Sequence, residues 1–386
     1  MDRSRVLTRL EFKNWRSLRH VPINDLTPIT VFIGANSSGK TNILDALRFI
    51  RYSIEKGIVE AVFNWGGRRK IRTLGVSPDE AVELQMSFWG KGLSAPITDT
   101  IQFKFKDQDV PFMYAHRIAE GETILHDDAF SEVPVSEFKI ETKWITDEEI
   151  ARINRAEEVA GIKNKFYRER LQLLGENFAP PISLPNDLNP VDPYLIEQNA
   201  RNAAAILNFM QQARPGLYKE LQYDLQRLIP HIDTLETERN DRETRFFVRE
   251  KPLQGEEAAT ISAGTARILA ILTAYYALDM RSPELPGLVV IEEPDTAIHP
   301  LLLGKLVDLL RFYTDRDEPR QFILTTHNPE LLNYFQPEEV RVVERDEETG
   351  ETSVDQIPDY IHETWLTEHQ LGEGWLSRVF GGIPQE

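Results

Sequence analysis

Apolar and polar positions alternate over Arg5–Lys13 (RVLTRLEFK), the period of a half-buried strand. Thr27–Gly34 (TPITVFIG) is more continuously apolar and predicts a second strand. After a Gly- and Ser-rich break, Ile43, Leu44, Leu47 and Ile50 recur at helical spacing, so Thr41–Tyr52 predicts a helix. Short alternating or aromatic runs follow at Ala81–Trp89, Thr100–Lys106, Val110–Ile118 and Ser136–Ile145, the texture of a mostly antiparallel lobe.

Thr146 and Glu149 have capping-box spacing and open a charged helix predicted to reach about Leu174. The Pro-rich Phe178–Pro193 predicts a loop, and helices are expected over 194–228 with a break at Pro215-Gly216. There Tyr218, Leu221, Leu225 and Leu228 form an apolar face. Thr244–Lys251 predicts a strand and Gly264–Met280 a largely buried helix. Gly287–Glu293 and Gln321–His327 are too apolar to face water and predict strands of a central parallel sheet. A helix over Leu301–Phe312, a strand over Glu339–Asp346 and an acidic hairpin at Glu344–Glu351 complete the pattern. In the tail, Leu371, Trp375, Leu376, Val379 and Phe380 make an apolar stripe ending at Gly381-Gly382, which docks either on its own domain or on a partner protein.

Composition narrows the classes. The 386 residues are 41% apolar and 27% charged, as in globular proteins, and allow two or three domains. The absence of cysteine excludes a disulfide framework, a thiol nucleophile and a cysteine-ligated zinc. The amino terminus does not read as a signal peptide. The greasiest stretch, Ile268–Leu278, is broken by Thr273 and is too short to span a bilayer, so a cytoplasmic protein without a membrane partner is expected. A net charge of −18 argues against indiscriminate DNA binding. The densest basic cluster, Arg68-Arg69-Lys70 with Arg72, reads as a solvated loop.

Four short segments carry candidate chemistry. Gly34-Ala35-Asn36-Ser37-Ser38-Gly39-Lys40-Thr41-Asn42 lies between a strand and a helix, the context of a phosphate-binding loop. Its backbone N–H groups and helix N-terminus suit phosphates, Lys40 supplies a point charge to the β- and γ-phosphates, and Thr41 a hydroxyl for Mg²⁺. Glu292 and Glu293 end an apolar strand; one carboxylate there can hold the Mg²⁺ water shell and the next can polarise an attacking water. His327 follows the other apolar strand, where a neutral imidazole can contact the γ-phosphate and that water. Ser262-Ala263-Gly264-Thr265 opens a long helix and reads either as an anion site or as a plain N-cap with Ser262 or Thr265 capping.

In this order the segments resemble the ATP-binding-cassette type ATPases of the SMC and RecF group. They are most similar to the stand-alone AAA-type ATPases of prokaryotes, related to the ATPase half of the overcoming-lysogenization-defect (OLD) proteins. The resemblance covers about 1–55 and 195–345 and is weak over 56–194. It implies an α/β P-loop NTPase fold with an antiparallel β lobe and an inserted helical region. The implied divisions are an N-terminal ATPase lobe (1–145), a helical insertion (146–240), a C-terminal ATPase lobe (241–345) and a tail (346–386).

By the same resemblance, two heads close as a homodimer, or within a higher oligomer, around two ATP molecules. Gly34–Thr41 hold the phosphates, Thr41 and Glu292 take the Mg²⁺ side, Glu293 is the catalytic base and His327 the switch histidine. Ser262 and Gly264 face the γ-phosphate from the partner subunit. Asp295 lies near the dimer-contacting loop, and Arg16 matches an N-terminal Arg-Ser element beside the nucleotide. This sequence departs from the group in having Glu292 where Asp is usual and ISAGT where LSGGQ is usual. Gln85 and Gln102 are the candidates for the glutamine loop.

The segment after His327 holds one strand, the acidic hairpin and a tail, so a Toprim nuclease domain is not expected in this chain. The 146–175 region lacks the sustained heptads of an SMC-type coiled coil. The resemblance implies an ATP-driven switch acting on a separately encoded effector, with a nuclease first in line, in prokaryotic defence against phage. A RecF-type repair clamp that binds duplex DNA is the alternative. A transporter motor ranks last, because the interval from Lys40 to Glu292 far exceeds what a compact motor needs.

Overall fold

The computed structural model describes residues 7–77, 79–89, 95–105, 113–132, 171–178, 183–185, 194–251, 261–281, 287–316, 320–364 and 368–382. The predicted strand at 136–145 and the capping box at Thr146 lie outside them.

The strands are β1 (Leu7–Trp15), β2 (Leu18–Ile23), β3 (Ile29–Ile33), β4 (Val82–Phe88), β5 (Ile97–Lys104), β6 (Met113–Glu120) and β7 (Thr123–Glu132). They continue with β8 (Leu171–Leu174), β9 (Ser183–Pro185), β10 (Ile232–Arg239), β11 (Glu243–Glu250), β12 (Gly287–Glu292), β13 (Arg320–Thr326), β14 (Val340–Arg345) and β15 (Thr352–Gln356). The helices are α1 (Lys40–Lys56), α2 (Ile58–Asn64), α3 (Arg68–Ile71), α4 (Ala203–Ala213), α5 (Pro215–Leu228) and α6 (Ala263–Arg281), then α7 (Pro300–Thr314), α8 (Pro329–Leu332), α9 (Asp359–Thr364) and α10 (Leu371–Leu376).

They build an antiparallel sheet in the order β2-β1-β4-β5-β6-β7, a small sheet β10-β11-β9, and a central sheet β15-β14-β3-β13-β12-β8. Within the central sheet β14, β3, β13, β12 and β8 run parallel, and β15 is an antiparallel edge strand. Because successive side chains point to opposite faces, the apolar runs feed two cores. Val289 and Ile291, with Phe322 and Leu324, pack against α4–α7. Leu288, Val290, Ile323 and Phe32 pack on the other face against α1, together with Leu10, Phe12 and Leu84 of the antiparallel sheet. Helix α1 is therefore covered on two sides, and its stripe of Ile43, Leu44, Leu47 and Ile50 is buried. Each such side chain contributes about 1.5–3 kcal/mol by leaving water.

Four local expectations are corrected. Residues 171–174, expected to end a helix, form strand β8, paired in parallel with β12. An apolar tetrad such as Leu-Gln-Leu-Leu suits either element, and the pairing groups of β12 decide. The Pro-rich stretch contains β9, which closes the small sheet through Thr244. Helix begins at Ala203 rather than 194, while the expected break falls between Ala213 and Pro215, which starts α5 because the first turn tolerates its missing N–H. The basic cluster forms the short helix α3, anchored by buried Ile71, whose carbonyl accepts the Arg16 N–H at 2.6 Å. The tail docks on its own chain: Trp375 joins the helical core, and Gly372 N–H donates to Asn333 Oδ1 at 2.7 Å.

Candidate active site at one edge of the central sheet

Strands β12, β13 and β3 are consecutive and parallel, so their carboxyl ends share one edge. There β3 delivers the Gly34–Asn42 loop, β12 delivers Glu292 and Glu293, and β13 delivers His327. This is where open α/β sheets present ligands. Helix α1 starts at Gly39 without a side-chain cap, and Gly39 adopts φ 116°, a conformation glycine reaches at least cost. Ser37 is also left-handed, at φ 68°.

Lys40 Nζ donates to the Gly34 and Ala35 carbonyls at 2.7 and 2.8 Å. Burial pushes its pKa below the ordinary lysine value, and the nearby carboxylates of Glu293 and Glu292 partly oppose this. The Ser38 hydroxyl is buried and has no partner. A buried cation resting on loop carbonyls and an orphaned hydroxyl fit a polyanionic ligand in this loop.

The Glu292 carboxylate is held at both oxygens. Thr41 Oγ1 donates to Glu292 Oε1 at 2.7 Å, and Arg48 Nη2 to Glu292 Oε2 at 2.7 Å. The side chains of Arg48 and Glu292 are only 8% and 6% exposed, so this ion pair is a buried one. Arg48 also meets Asp45 at 2.9 Å, and Asp45 meets Arg16 at 2.6 Å. Arg16 thus lies beside the first turn of α1, where it also contacts Asn42 Oδ1 at 3.3 Å. Thr41, Asp45 and Arg48 fall one and two turns apart on one face of α1. That spacing was the available signal for Asp45 and Arg48, which sequence reasoning missed. The added methylene of Glu292 relative to Asp thus comes with an arginine partner. Among the described residues no cluster of three or more carboxylates or histidines is poised for a metal. Mg²⁺ does not require one, since it usually takes one or two carboxylates, waters and substrate phosphates. Thr41 and Glu292 fit that donor set.

Glu293 sits at φ 50°, and its N–H donates to the Thr325 carbonyl at 3.0 Å. Its Oε1 is 2.8 Å from His327 Nδ1. An ionised carboxylate can only accept, so the Nδ1 proton lies in this bond. Arg267, five positions into the α6 segment from Ser262, is a further residue the sequence did not reveal. It donates to the Glu293 carbonyl at 2.6 Å and the Glu176 carbonyl at 2.8 Å, and stacks 4.0 Å from the Phe178 ring centre.

Ser262 caps its own helix: its Oγ accepts the Thr265 N–H at 3.0 Å, and the residue is exposed. Gly264 backs onto the loop after β12, where a Cβ would lie 2.5 Å from the Ala297 carbonyl oxygen. Asp295 is buried and accepts from Thr326 Oγ1 at 2.8 Å. Gln85 and Gln102 make cross-strand bonds in the antiparallel sheet, to Thr100 and Glu83.

A phosphate loop, a carboxylate pair and a histidine at one sheet edge, with an antiparallel sheet across α1, define a P-loop NTPase fold of the ABC-ATPase, SMC-head type. The chain belongs to the family described as "AAA domain, putative AbiEii toxin, Type IV TA system", whose family model matches residues 29–333. Similar solved structures include an SMC head bound to the C-winged helix domain of ScpA, at TM-score 0.57 and 14% identity, covering 91% of this chain and 97% of that one. A second is an SMC head with an extended coiled coil bound to the C-terminal domain of ScpA, derived from Pyrococcus furiosus, at TM-score 0.55 and 14% identity, covering 94% and 99%.

Among curated sequences, the uncharacterized protein MJECL44 of Methanocaldococcus jannaschii is 27% identical over 159 residues, 34% of this chain and 45% of that protein. The DNA replication and repair protein RecF of Acinetobacter baumannii is 48% identical over 44 residues, 11% of this chain and 12% of that protein. The chain thus spans less than half the length of these relatives. The chain is thus an AAA-domain family member with the fold of SMC heads, and a short segment of it is similar to RecF.

Proposed function

We propose that this chain binds ATP with Mg²⁺, hydrolyses it in composite sites of a homodimer, and uses closure of that dimer to regulate a separately encoded effector. The observation that carries the reading is the meeting of Lys40, Thr41, Glu292, Glu293 and His327 at one edge of three neighbouring parallel strands. Bound there with its metal, ATP would supply the γ-phosphate as electrophile. The Gly34–Thr41 loop and Lys40 hold the phosphates, and Thr41 and Glu292 hold the metal side. Glu293, oriented by His327, accepts the proton of the attacking water. Ser262 is exposed at the start of α6, as a residue that meets a second subunit must be. In this reading 1–145 and 241–345 are the two ATPase lobes.

The biological role is an extension of the same reading. The family description names a toxin of a type IV toxin–antitoxin system, and the solved heads carry ScpA, a separate protein. Both support a head that works with another gene product; we propose that this product is a nuclease effector in prokaryotic anti-phage defence and that the chain is allied to the ATPase half of OLD proteins. The RecF match favours a second reading, a repair ATPase on duplex DNA. A gel shift at low salt separates the two, because phosphate-driven binding is strongest there.

Glu293→Gln tests the chemistry. The variant is expected to bind ATP, to lose about 10²–10⁴-fold in kcat, and to accumulate as dimer in sedimentation with ATP and Mg²⁺. Wild-type turnover in this variant would remove Glu293 from the role of base.

A further inference from the structure

Thr352 opens β15, far along the chain from the phosphate loop, yet its side chain rests on that loop. Its Oγ1 lies 2.8 Å from the Ser38 carbonyl oxygen and 2.7 Å from Ser17 Oγ, both contacts buried. Ser17 Oγ in turn accepts from Asn42 Nδ2 at 2.7 Å. One proton arrangement satisfies all three contacts. The Asn42 amide nitrogen only donates and the Ser38 carbonyl only accepts, so each hydroxyl between them accepts once and donates once. The relay runs from Asn42 through Ser17 and Thr352 to Ser38.

The surrounding geometry holds the relay still. The Thr352 N–H donates to the Ser17 carbonyl at 2.8 Å, which ties the C-terminal hairpin to the β1–β2 turn. A Cβ on Gly39 would lie 2.3 Å from Thr352 Oγ1, so the hairpin sits directly on the residue before Lys40. The Trp15 indole N–H donates to the Asn42 carbonyl at 3.0 Å, fixing the other end.

We propose that Thr352 is a positioning residue for phosphate binding. By fastening the Ser38 carbonyl, it sets the plane of the Ser38–Gly39 peptide. A trans peptide carries its C=O and N–H on opposite sides. The Gly39 N–H is thereby turned away from the hairpin and toward the concave side of the loop, where phosphate oxygens are received. A hydroxyl that only filled space would leave this amide free to swing. The proposal rests on the ATPase reading and assigns the C-terminal hairpin a part in ligand recognition.

The test uses the full chain as wild type, Thr352→Val, Thr352→Ser and Ser17→Ala, with calorimetric titration of ATP and Mg²⁺, steady-state hydrolysis and thermal melting. Thr352→Val keeps the shape and removes the hydroxyl. It is expected to raise the Kd for ATP and the KM about tenfold, the loss of one oriented donor, while kcat stays within about threefold. Thr352→Ser restores the hydroxyl and is expected to bind within about threefold of wild type. Ser17→Ala removes the hydroxyl that orients Thr352 and is expected to raise the Kd at least about threefold. It carries the test should Thr352→Val fail to fold. Wild-type affinity in folded Thr352→Val or Ser17→Ala, equal weakening in Thr352→Ser, or a loss confined to kcat each overturns the proposal. A wild-type chain that binds no ATP overturns the ATPase reading and this proposal together, whereas wild-type binding with an unaffected Thr352→Val overturns only this one.

Discussion

His327 Nδ1 lies 2.8 Å from Glu293 Oε1, joining the ends of two neighbouring parallel strands across 34 residues of sequence. The imidazole therefore takes the tautomer with its proton on Nδ1, and one carboxylate oxygen is steered by that bond. Replacing His327 with Ala is expected to lower kcat about 10- to 100-fold through misplacement of the carboxylate. The Kd for ATP is expected to change far less, because His327 does not hold the phosphate loop. Stopped-flow binding alongside steady-state turnover checks the split; equal losses in both would place His327 in ligand binding.

The Arg48–Glu292 pair is buried, so its members depend on one another. Removing one partner leaves an uncompensated charge, which costs about 3–5 kcal/mol, while replacing both with apolar residues can be nearly neutral. Arg48→Met is expected to be strongly destabilised in urea, and Arg48→Met with Glu292→Leu to recover most of the loss. Additive losses in this cycle would show that the two side chains do not interact. Neither variant is expected to turn over ATP with Mg²⁺ at the wild-type rate.

Gly264 has a role within its own chain. A Cβ there meets the backbone oxygen of Ala297 at 2.5 Å, and backbone yields less readily than a side-chain tip. Ala297 belongs to the loop that follows Glu293, and Arg267 ties the same helix to the Glu293 carbonyl. Gly264→Ala is expected to lower kcat and the melting temperature together while monomer binding of ATP stays near wild type. An unchanged melting temperature would leave only a contact to the partner subunit for this glycine.

Lys40 gives a pH signature. Burial, opposed by Glu293 and Glu292, holds its pKa below the ordinary value of 10.5. At pH below the lowered value both folded and unfolded chains carry the proton, so stability is flat. Between that value and 10.5 the unfolded chain carries more protons, and stability rises with pH. Compared with Lys40→Met, the wild type is expected to gain at most about 1.4 kcal/mol per pH unit across this window and nothing below it. Urea midpoints of both proteins from pH 7 to 10.5 measure this; a gap that moves against the wild type as pH rises would mean that the ammonium is stabilised on folding.

Much of the site was legible because its motifs are local. A glycine-rich break between an apolar strand and an amphipathic helix specifies the Gly34–Asn42 loop from adjacent residues alone. Likewise, Glu292, Glu293 and His327 were readable as polar residues ending apolar runs. The short elements were less legible. Leu171–Leu174 carries no period that separates strand from helix, and β9 lies among prolines. Each became a strand because a neighbouring strand offered unpaired backbone groups.

The sequence by itself determined the elements and the chemistry that each presents, since periodicity and turn residues act over a few positions. Tertiary structure decided which elements are neighbours. The order β12-β13-β3 brings Glu293, His327 and Lys40 to one edge. Packing of α1 between two sheets places Arg48 on Glu292, and the C-terminal hairpin places Thr352 on Ser38. Those contacts join residues up to 314 positions apart. Burial of apolar faces and pairing of strand edges select them, and neither leaves a local mark in the chain.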